Sequence, residues 1–367
     1  MGERWLIVDF RTGKTLGEVR PSSGEWSHAM ASSSLRCSIP DGGDLLGQVQ
    51  PWRHALAVEF GGSQIMAGGP IIADEWDADS RSVELVARGA EAYADRRMVL
   101  PPRVATQYGW DLYDEALQTP AHWARTIVGL AGGDPRTLPA VVAWVMTQAM
   151  AWPDSPAIRG VDNFDPGDRT LWVEGIDLRT VRSVIDDVTR ETGAEWDLVP
   201  EWRDGRVQWQ ILVGEPHVSG HRYPAWSDRT ISGLTIVRDG SQMVTHQHVT
   251  GGGDAGVPMS ATEVAAGPIM LESVDSSRRT ESSQQRLHEW AHTLLMTDRR
   301  PWLQIAFNAP PEDAHLWSVG DTGYLTVPDA PHLPRLADGA TTVRVAQVSG
   351  RVGGDQIRVQ CHPLQEV

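Results

Sequence analysis

The sequence predicts an α+β fold in four successive stretches: strands, helices, an α/β segment, and strands again with one long helix inserted. Three observations carry this reading. Short alternating apolar runs fill the first hundred residues, and helical character replaces them from about 108 to 150. Further on, Leu178, Val181, Val184, Ile185 and Val188 recur at the spacing of one helix face.

Taken in order, residues 5–10 are an apolar run, and residues 14–19 follow a Thr12-Gly13 turn. Residues 25–39 are polar and extended. In 54–60, Leu56, Val58 and Phe60 share a face, and Gly61-Gly62 turns the chain into 65–74. Residues 81–87 place Val83, Leu85 and Ala87 on one face. Short strands at this spacing predict a small barrel or sandwich. A short helix is expected over 90–99, broken by Pro101-Pro102.

Thr119 and Pro120 read as the N-cap and first residue of a helix that runs to Ala131 and ends at Gly132-Gly133. A second helix, 137–150, is apolar nearly all round through Val141, Val142, Trp144 and Val145, so it is expected to be buried or pressed against a partner. Residues 152–168 are rich in Pro, Asp and Gly and read as a linker. Asp177 then caps the amphipathic helix, with Gly193 in the place of a C-cap glycine. Asp204-Gly205 predicts a hairpin between 195–199 and 207–213, and Asp239-Gly240 predicts another between 233–237 and 243–249. The last long helix is 282–297, followed by strands at 302–307, 323–327, 341–348 and 356–361. Nothing repeats at a period that would make a solenoid or propeller.

An apolar content of 41% and a charged content of 22% are those of an ordinary globular chain with room for two or three cores. No apolar run is long enough to span a membrane. The opening Met1-Gly2-Glu3-Arg4-Trp5 lacks a basic start and an apolar signal core, and Leu6 replaces the Ser or Thr of a myristoylation site. Neither a secretory signal nor a lipid anchor is therefore expected. Cys37 and Cys361, each in a strand-like run, are too few for a disulfide framework and read as buried thiols. A net charge of −16 argues against wrapping nucleic acid, because phosphate affinity rests on Lys and Arg. Lys14 is the only lysine among 32 basic residues and Trp (16) outnumbers Phe (4), biases that GC-rich codons produce.

The sharpest catalytic pattern is His288-Glu289-Trp290-Ala291-His292. On a helix, histidines four apart can grip one Zn²⁺ while the Glu poises a water. A zinc endopeptidase using His288, Glu289 and His292 is thus the alternative function. Against it, Leu295 and Asp298 stand where an extended motif needs Gly and a third His. Glu312 and His315 lie in a Pro-Pro loop, and Arg286 puts a charge on the helix. The competing reading is an amphipathic packing helix with two solvated histidines. His246 and His248 share a strand face, which by itself is half a metal site at most. Gly13-Lys14-Thr15 ends like a phosphate loop, yet Val8 occupies the position of its first glycine. Asp74, Glu75, Asp77 and Asp79 lack the Gly and terminal Glu of a calcium loop. No nucleophile elbow is present. The expectation is no catalytic residue, no metal, no cofactor and no enzyme activity.

Several segments in order resemble the hub, or tail-associated minor tail, proteins of long-tailed phages infecting actinobacteria. They are 52–60, then 66–72 ending Gly68-Gly69-Pro70-Ile71-Ile72, then 83–89 and the run from Tyr93 to Arg97. The helix at 177–192 with Trp196, Val207, Trp209 and Ile211 is similar to the family's α/β segment. Residues 243–253 resemble its strand leading into a glycine run, with His248 where an Asn is expected. Residues 282–295, Ile305, Trp317-Ser318-Val319-Gly320-Asp321 and Val343-Arg344-Val345 resemble its last domain.

The resemblance implies two small β-barrel-like domains, 1–105 and 233–367, with a helical insertion and linker at 106–175 and an α/β segment at 176–232. The helix at 282–297 is inserted in the second barrel as a strut. It further implies a homotrimeric hub at the virion tail tip, assembled in the bacterial host cytoplasm, that adapts a sixfold tube to a threefold tip. Its expected partners are the distal tail or tail tube ring, downstream tail-tip or central fibre proteins, and the tape measure protein. DNA would pass through the lumen without specific binding, and the chain would not insert in a membrane.

Overall fold

The computed structural model describes residues 3–40, 47–99, 113–114, 119–120, 127–129, 136–150, 154–159, 166–167, 171–174, 179–192, 194–214, 218, 223–252, 258–267, 269–278, 281–327 and 340–364. The N-terminal strands are β1 (Glu3–Asp9), β2 (Thr15–Val19), β3 (Ser23–Ala29), β4 (Ser32–Pro40), β5 (His54–Phe60), β6 (Gln64–Asp77) and β7 (Ser82–Arg88). Helix α1 (Glu91–Ala94) precedes the short strands β8 (Tyr113–Asp114), β9 (Thr119–Pro120) and β10 (Ile127–Gly129). Then come α2 (Leu138–Met150), β11 (Ile158–Arg159), β12 (Trp172–Glu174), α3 (Val181–Thr192), β13 (Glu195–Arg203) and β14 (Arg206–Gly214). The chain continues through β15 (Ala225–Ser227), β16 (Ser232–Asp239), β17 (His246–Gly251), β18 (Ser260–Val264), β19 (Glu272–Arg278) and α4 (Gln284–Asp298). It ends with β20 (Trp302–Ala309), β21 (Thr322–Thr326), β22 (Thr341–Arg351) and β23 (Ile357–Pro363). The fold is mostly β with a few helices, in keeping with an α+β class.

The organising feature is a 13-stranded sheet whose main path runs β16-β20-β23-β22-β3-β4-β7-β6-β5-β1-β2. Its path among the described residues is open, and no closed barrel is formed. The first and last parts of the chain meet inside it, because β22 pairs antiparallel with β3 from Gln347↔Ala29 to Arg351↔Glu25.

Why the apolar run in β1 does not alternate follows from its surroundings. A strand covered on both faces buries every side chain. Trp5 and Ile7, opposite Val58 and Leu56 of β5, enter a core shared with Phe307, Val345 and Val359. Leu6 and Val8, opposite Ala57 and Ala55, enter a second core with α2, α3, β13 and β14. The all-round apolar helix α2 belongs there: Leu138, Val141, Val142, Val145 and Met146 are all buried. Each such side chain contributes about 1.5–3 kcal/mol when fully buried. Trp209 of β14 closes this core, edge-on to Phe10 at 4.9 Å and donating Nε1–H to the Gly68 carbonyl at 3.0 Å.

Several local expectations need correction. Residues 119–131 do not form one helix: Thr119–Pro120 pairs with Tyr113–Asp114, and Ile127–Gly129 pairs with β12. The β-branched Thr119, Ile127 and Val128 suit extended backbone, and tertiary pairing overrides the Thr-Pro cap signal. The residues between these strands, with Ala131 and Gly132-Gly133, lie outside the described residues. Residues 25–39 form a hairpin, β3–β4, turning at Ala31 with φ 49°. The helix at 90–99 is shorter than expected and spans only Glu91–Ala94; Pro101-Pro102 lie outside the described residues. Within the expected linker, Ile158–Arg159 adds a parallel strand beside β14.

The amphipathic helix α3 starts at Val181, and Thr180 caps it by accepting from the Ser183 N–H at 3.1 Å. Asp177, Leu178 and Gly193 lie outside the described residues. Asp204-Gly205 does make the β13–β14 hairpin, with both residues at positive φ (50° and 71°) as a tight two-residue turn requires. Asp239-Gly240 does not make a hairpin. Asp239 Oδ1 accepts the Ser241 N–H at 2.8 Å and leads the chain out of the sheet, while β16 pairs with β20.

Between β16 and β20 the chain makes a separate layer. Strands β18-β17-β19 form a three-stranded sheet, and α4 packs on it through Leu287, Trp290 and Ala291 against Val249 and Ala261. Ser283 caps α4, and Trp290 Nε1 donates to Asp275 Oδ2 of β19 at 2.6 Å. The helix expected at 282–297 is therefore present, but it covers a small sheet of its own.

Candidate functional site

The histidines at 288 and 292 share the outer face of α4, 49% and 60% exposed at their side chains. Both point Nδ1 at one carboxylate, Glu263 of β18, at 3.0 and 3.8 Å. Glu263 is the partner that sequence reasoning missed, because nothing in a β-strand register announces which helix face will cover it. Glu289, the would-be general base, turns away and accepts from Gln285 Nε2 at 2.8 Å. Glu312 and His315 belong to a 3-10 helix (Pro311–Leu316) packed against β5, whereas α4 packs on β17 and β18. Among the described residues, no group of three or more His, Cys, Asp or Glu side chains is arranged to hold a metal ion. The arrangement is one carboxylate bridging two imidazoles across a helix–sheet contact.

The other motifs are each engaged locally. His248 contacts Thr262 Oγ1 at 2.9 Å and Glu272 Oε1 at 3.3 Å, and His246 contacts Thr245 Oγ1 at 2.9 Å. Asp77 accepts the Asp79 N–H and the Ser80 hydroxyl at 2.8 and 2.7 Å, which holds its carboxyl below the usual range. Its oxygens close a turn. Gly13 (φ 71°) docks on β14, where its carbonyl accepts the Val207 N–H at 2.8 Å. A Cβ there would sit 2.3 Å from the Val207 oxygen, so only glycine fits this approach. Cys37 and Cys361 are buried free thiols. Burial pushes the Cys37 thiol up to about 12 and raises that of Cys361 too, so neither supplies a thiolate.

One polar cluster was not read from sequence. His28 Nδ1 meets the Ser33 hydroxyl at 2.6 Å, and its Nε2 lies 3.2 Å from Asp197 Oδ2. Glu91 accepts the Ser33 N–H at 2.8 Å, and Asp197 Oδ1 accepts the N–H groups of Ala31 and Leu198 at 3.1 and 2.8 Å. The residue types are those of a hydrolytic triad, but His28, Ser33, Glu91 and Asp197 are all buried. No substrate reaches a buried hydroxyl, so the cluster ties the β3–β4 hairpin to α1 and β13. Burial disfavours a charge on His28, yet Asp197 and Glu91 outweigh it and raise its pKa. Burial also raises that of Glu91.

A second tie joins β13 to β22. Arg344 clamps Glu195 through both guanidinium nitrogens, with Nη1 to Oε1 at 2.7 Å. The geometry therefore builds a braced scaffold whose polar groups mainly connect its layers.

No protein-family model matches this sequence, and no curated protein matches it. Solved structures do. The tail protein from Neisseria meningitidis MC58 superposes with a TM-score of 0.58 at 13% identity, covering 99% of this chain and 96% of that one. The fold is the one seen in phage tail proteins. The 43 kDa tail protein of prophage MuSo2 from Shewanella oneidensis gives the same TM-score, 0.58, at 10% identity over 98% of each chain. A chain of the lidded Francisella PdpA-VgrG complex matches at TM-score 0.53 and 8% identity, with 98% of this chain covering 52% of that one. The tail-protein fold thus accounts for nearly the whole length of two solved tail proteins.

Proposed function

We propose that this chain is a structural minor tail protein that forms the hub at a phage tail tip, in the manner of long-tailed actinobacteriophages. The observation that carries the reading is the end-to-end likeness to two tail proteins of nearly the same extent. Three copies would each contribute two hub units, 1–105 and 233–367, making a pseudo-sixfold ring that meets the tube above and a threefold tip below. The net charge of −16 suits a lumen through which DNA slides, since like charges discourage sticking. Neighbours would be the distal tail or tube ring, the tape measure protein and the central fibre, with assembly in the host cytoplasm. No catalytic step belongs to this role.

Cryo-electron microscopy of the intact particle tests it. The expected map places three copies of this chain in a ring at the tail tip. A particle that lacks the chain, or holds six equivalent copies along the tube, overturns the assignment.

A further inference from the structure

A groove of about 760 Å³ opens where the inserted layer rejoins the main sheet. It is bounded by the end of β16, the last turn of α4, the start of β20 and the end of β23. That volume is within the range of specific ligand sites. Its chemistry is unequal. On the cationic side, Arg344 is taken up by Glu195, and Arg300 also has a partner within the chain. On the anionic side, Asp298 is half-buried, and that burial raises its pKa. Trp302, 58% exposed, lines the same groove, one side of its ring braced by His362 at 4.8 Å. Met243, Met296 and Leu364 complete the apolar lining.

A half-buried carboxylate and an exposed indole lining one groove can together receive a cation on an apolar stem. The surroundings say what carries that stem. Among the described residues, strand β16 is the terminal strand of the 13-stranded sheet, mostly exposed, and its Asp239 lines the same groove. An open strand edge leading into a side-chain pocket is the arrangement by which sheets take on an added strand.

We propose that this groove docks an extended segment of a partner protein, which pairs along β16 and seats an arginine or lysine on Trp302 and Asp298. Its flanking apolar side chains rest on Met243, Met296 and Leu364. The proposal does not depend on the hub assignment or on the number of copies.

The test titrates the full-length chain with the peptide acetyl-Thr-Val-Arg-Val-Thr-amide, following binding by saturation-transfer NMR and calorimetry. Saturable binding is expected, weakened about tenfold when citrulline replaces the peptide's arginine. Trp302→Ala and Asp298→Asn are each expected to weaken it about tenfold as well. Asp298→Lys abolishes it while leaving the melting temperature unchanged, which separates lost docking from lost folding. No binding, or equal binding to wild type and to all three variants, overturns the proposal. Choline chloride displacing the peptide at equal concentration overturns it in favour of a small-ammonium site. Displacement by N-acetylglucosamine overturns it in favour of a sugar site.

Discussion

At the scale of single residues, the most consequential group is His28, a buried imidazole held between Asp197 and Ser33. Its pKa is raised on folding, so its stabilising contribution is complete below the unfolded value of about 6.5 and is lost as pH climbs through the folded value. Glu91, also raised, acts in the same direction, over a window that opens at about 4.3. The melting temperature of His28→Gln should therefore trail wild type most at pH 6, with the gap narrowing as pH rises. A gap that stays constant or widens with pH would show that the protonated imidazole is not the stabilising species. His288 and His292 lead to a different expectation. With Glu263 bridging them and Glu289 turned to Gln285, elemental analysis should find no stoichiometric zinc, and EDTA should leave melting unmoved. One zinc per chain, lost in His288→Ala, would restore the peptidase reading.

At the scale of elements, α4 and its three strands rest on a small core of Val249, Ala261, Leu287, Trp290 and Ala291, while β5 is buried along its whole length. Regions with few buried contacts open first. Hydrogen exchange should show β17–β19 and α4 opening at lower free energy than β5. Leu287→Ala should cost about 2–5 kcal/mol in that layer alone. Faster exchange in β5 of the same variant would mean the layer is not a separate cooperative unit. Elements marked by a local sequence pattern were legible: the continuous apolar runs of β1 and α2, the Asp204-Gly205 turn and the apolar face of α4. Thr119-Pro120 and Asp239-Gly240 misled because the same local signals serve more than one backbone; pairing with nearby Tyr113–Asp114 decided the first, and β16 pairing with distant β20 the second. Glu263, Asp197 and Glu195 escaped notice for a related reason. Each meets its partner from another layer, and a lone acidic residue in a strand carries no mark of that.

At the scale of the whole molecule, the main core draws on both ends of the chain: Trp26, Leu35 and Leu85 pack in one cluster with Phe307, Val343 and Val359. The two stretches proposed as hub units, 1–105 and 233–367, therefore share one hydrophobic core. A fragment of residues 1–105 should give the spectrum of an unfolded chain by far-UV circular dichroism and amide NMR. Dispersed, native-like resonances from that fragment would refute the joint core.

The β22–β3 seam also sets a timetable for biogenesis. Strand β3 leaves the ribosome long before its partner, which reaches to Arg351. Until β22 emerges, one flank of β3 is a bare edge, open to pairing with a neighbouring nascent chain. A polysome making many copies side by side is where such mispairing is most acute. Yield of native protein should therefore depend on whatever shields β3 until β22 has emerged.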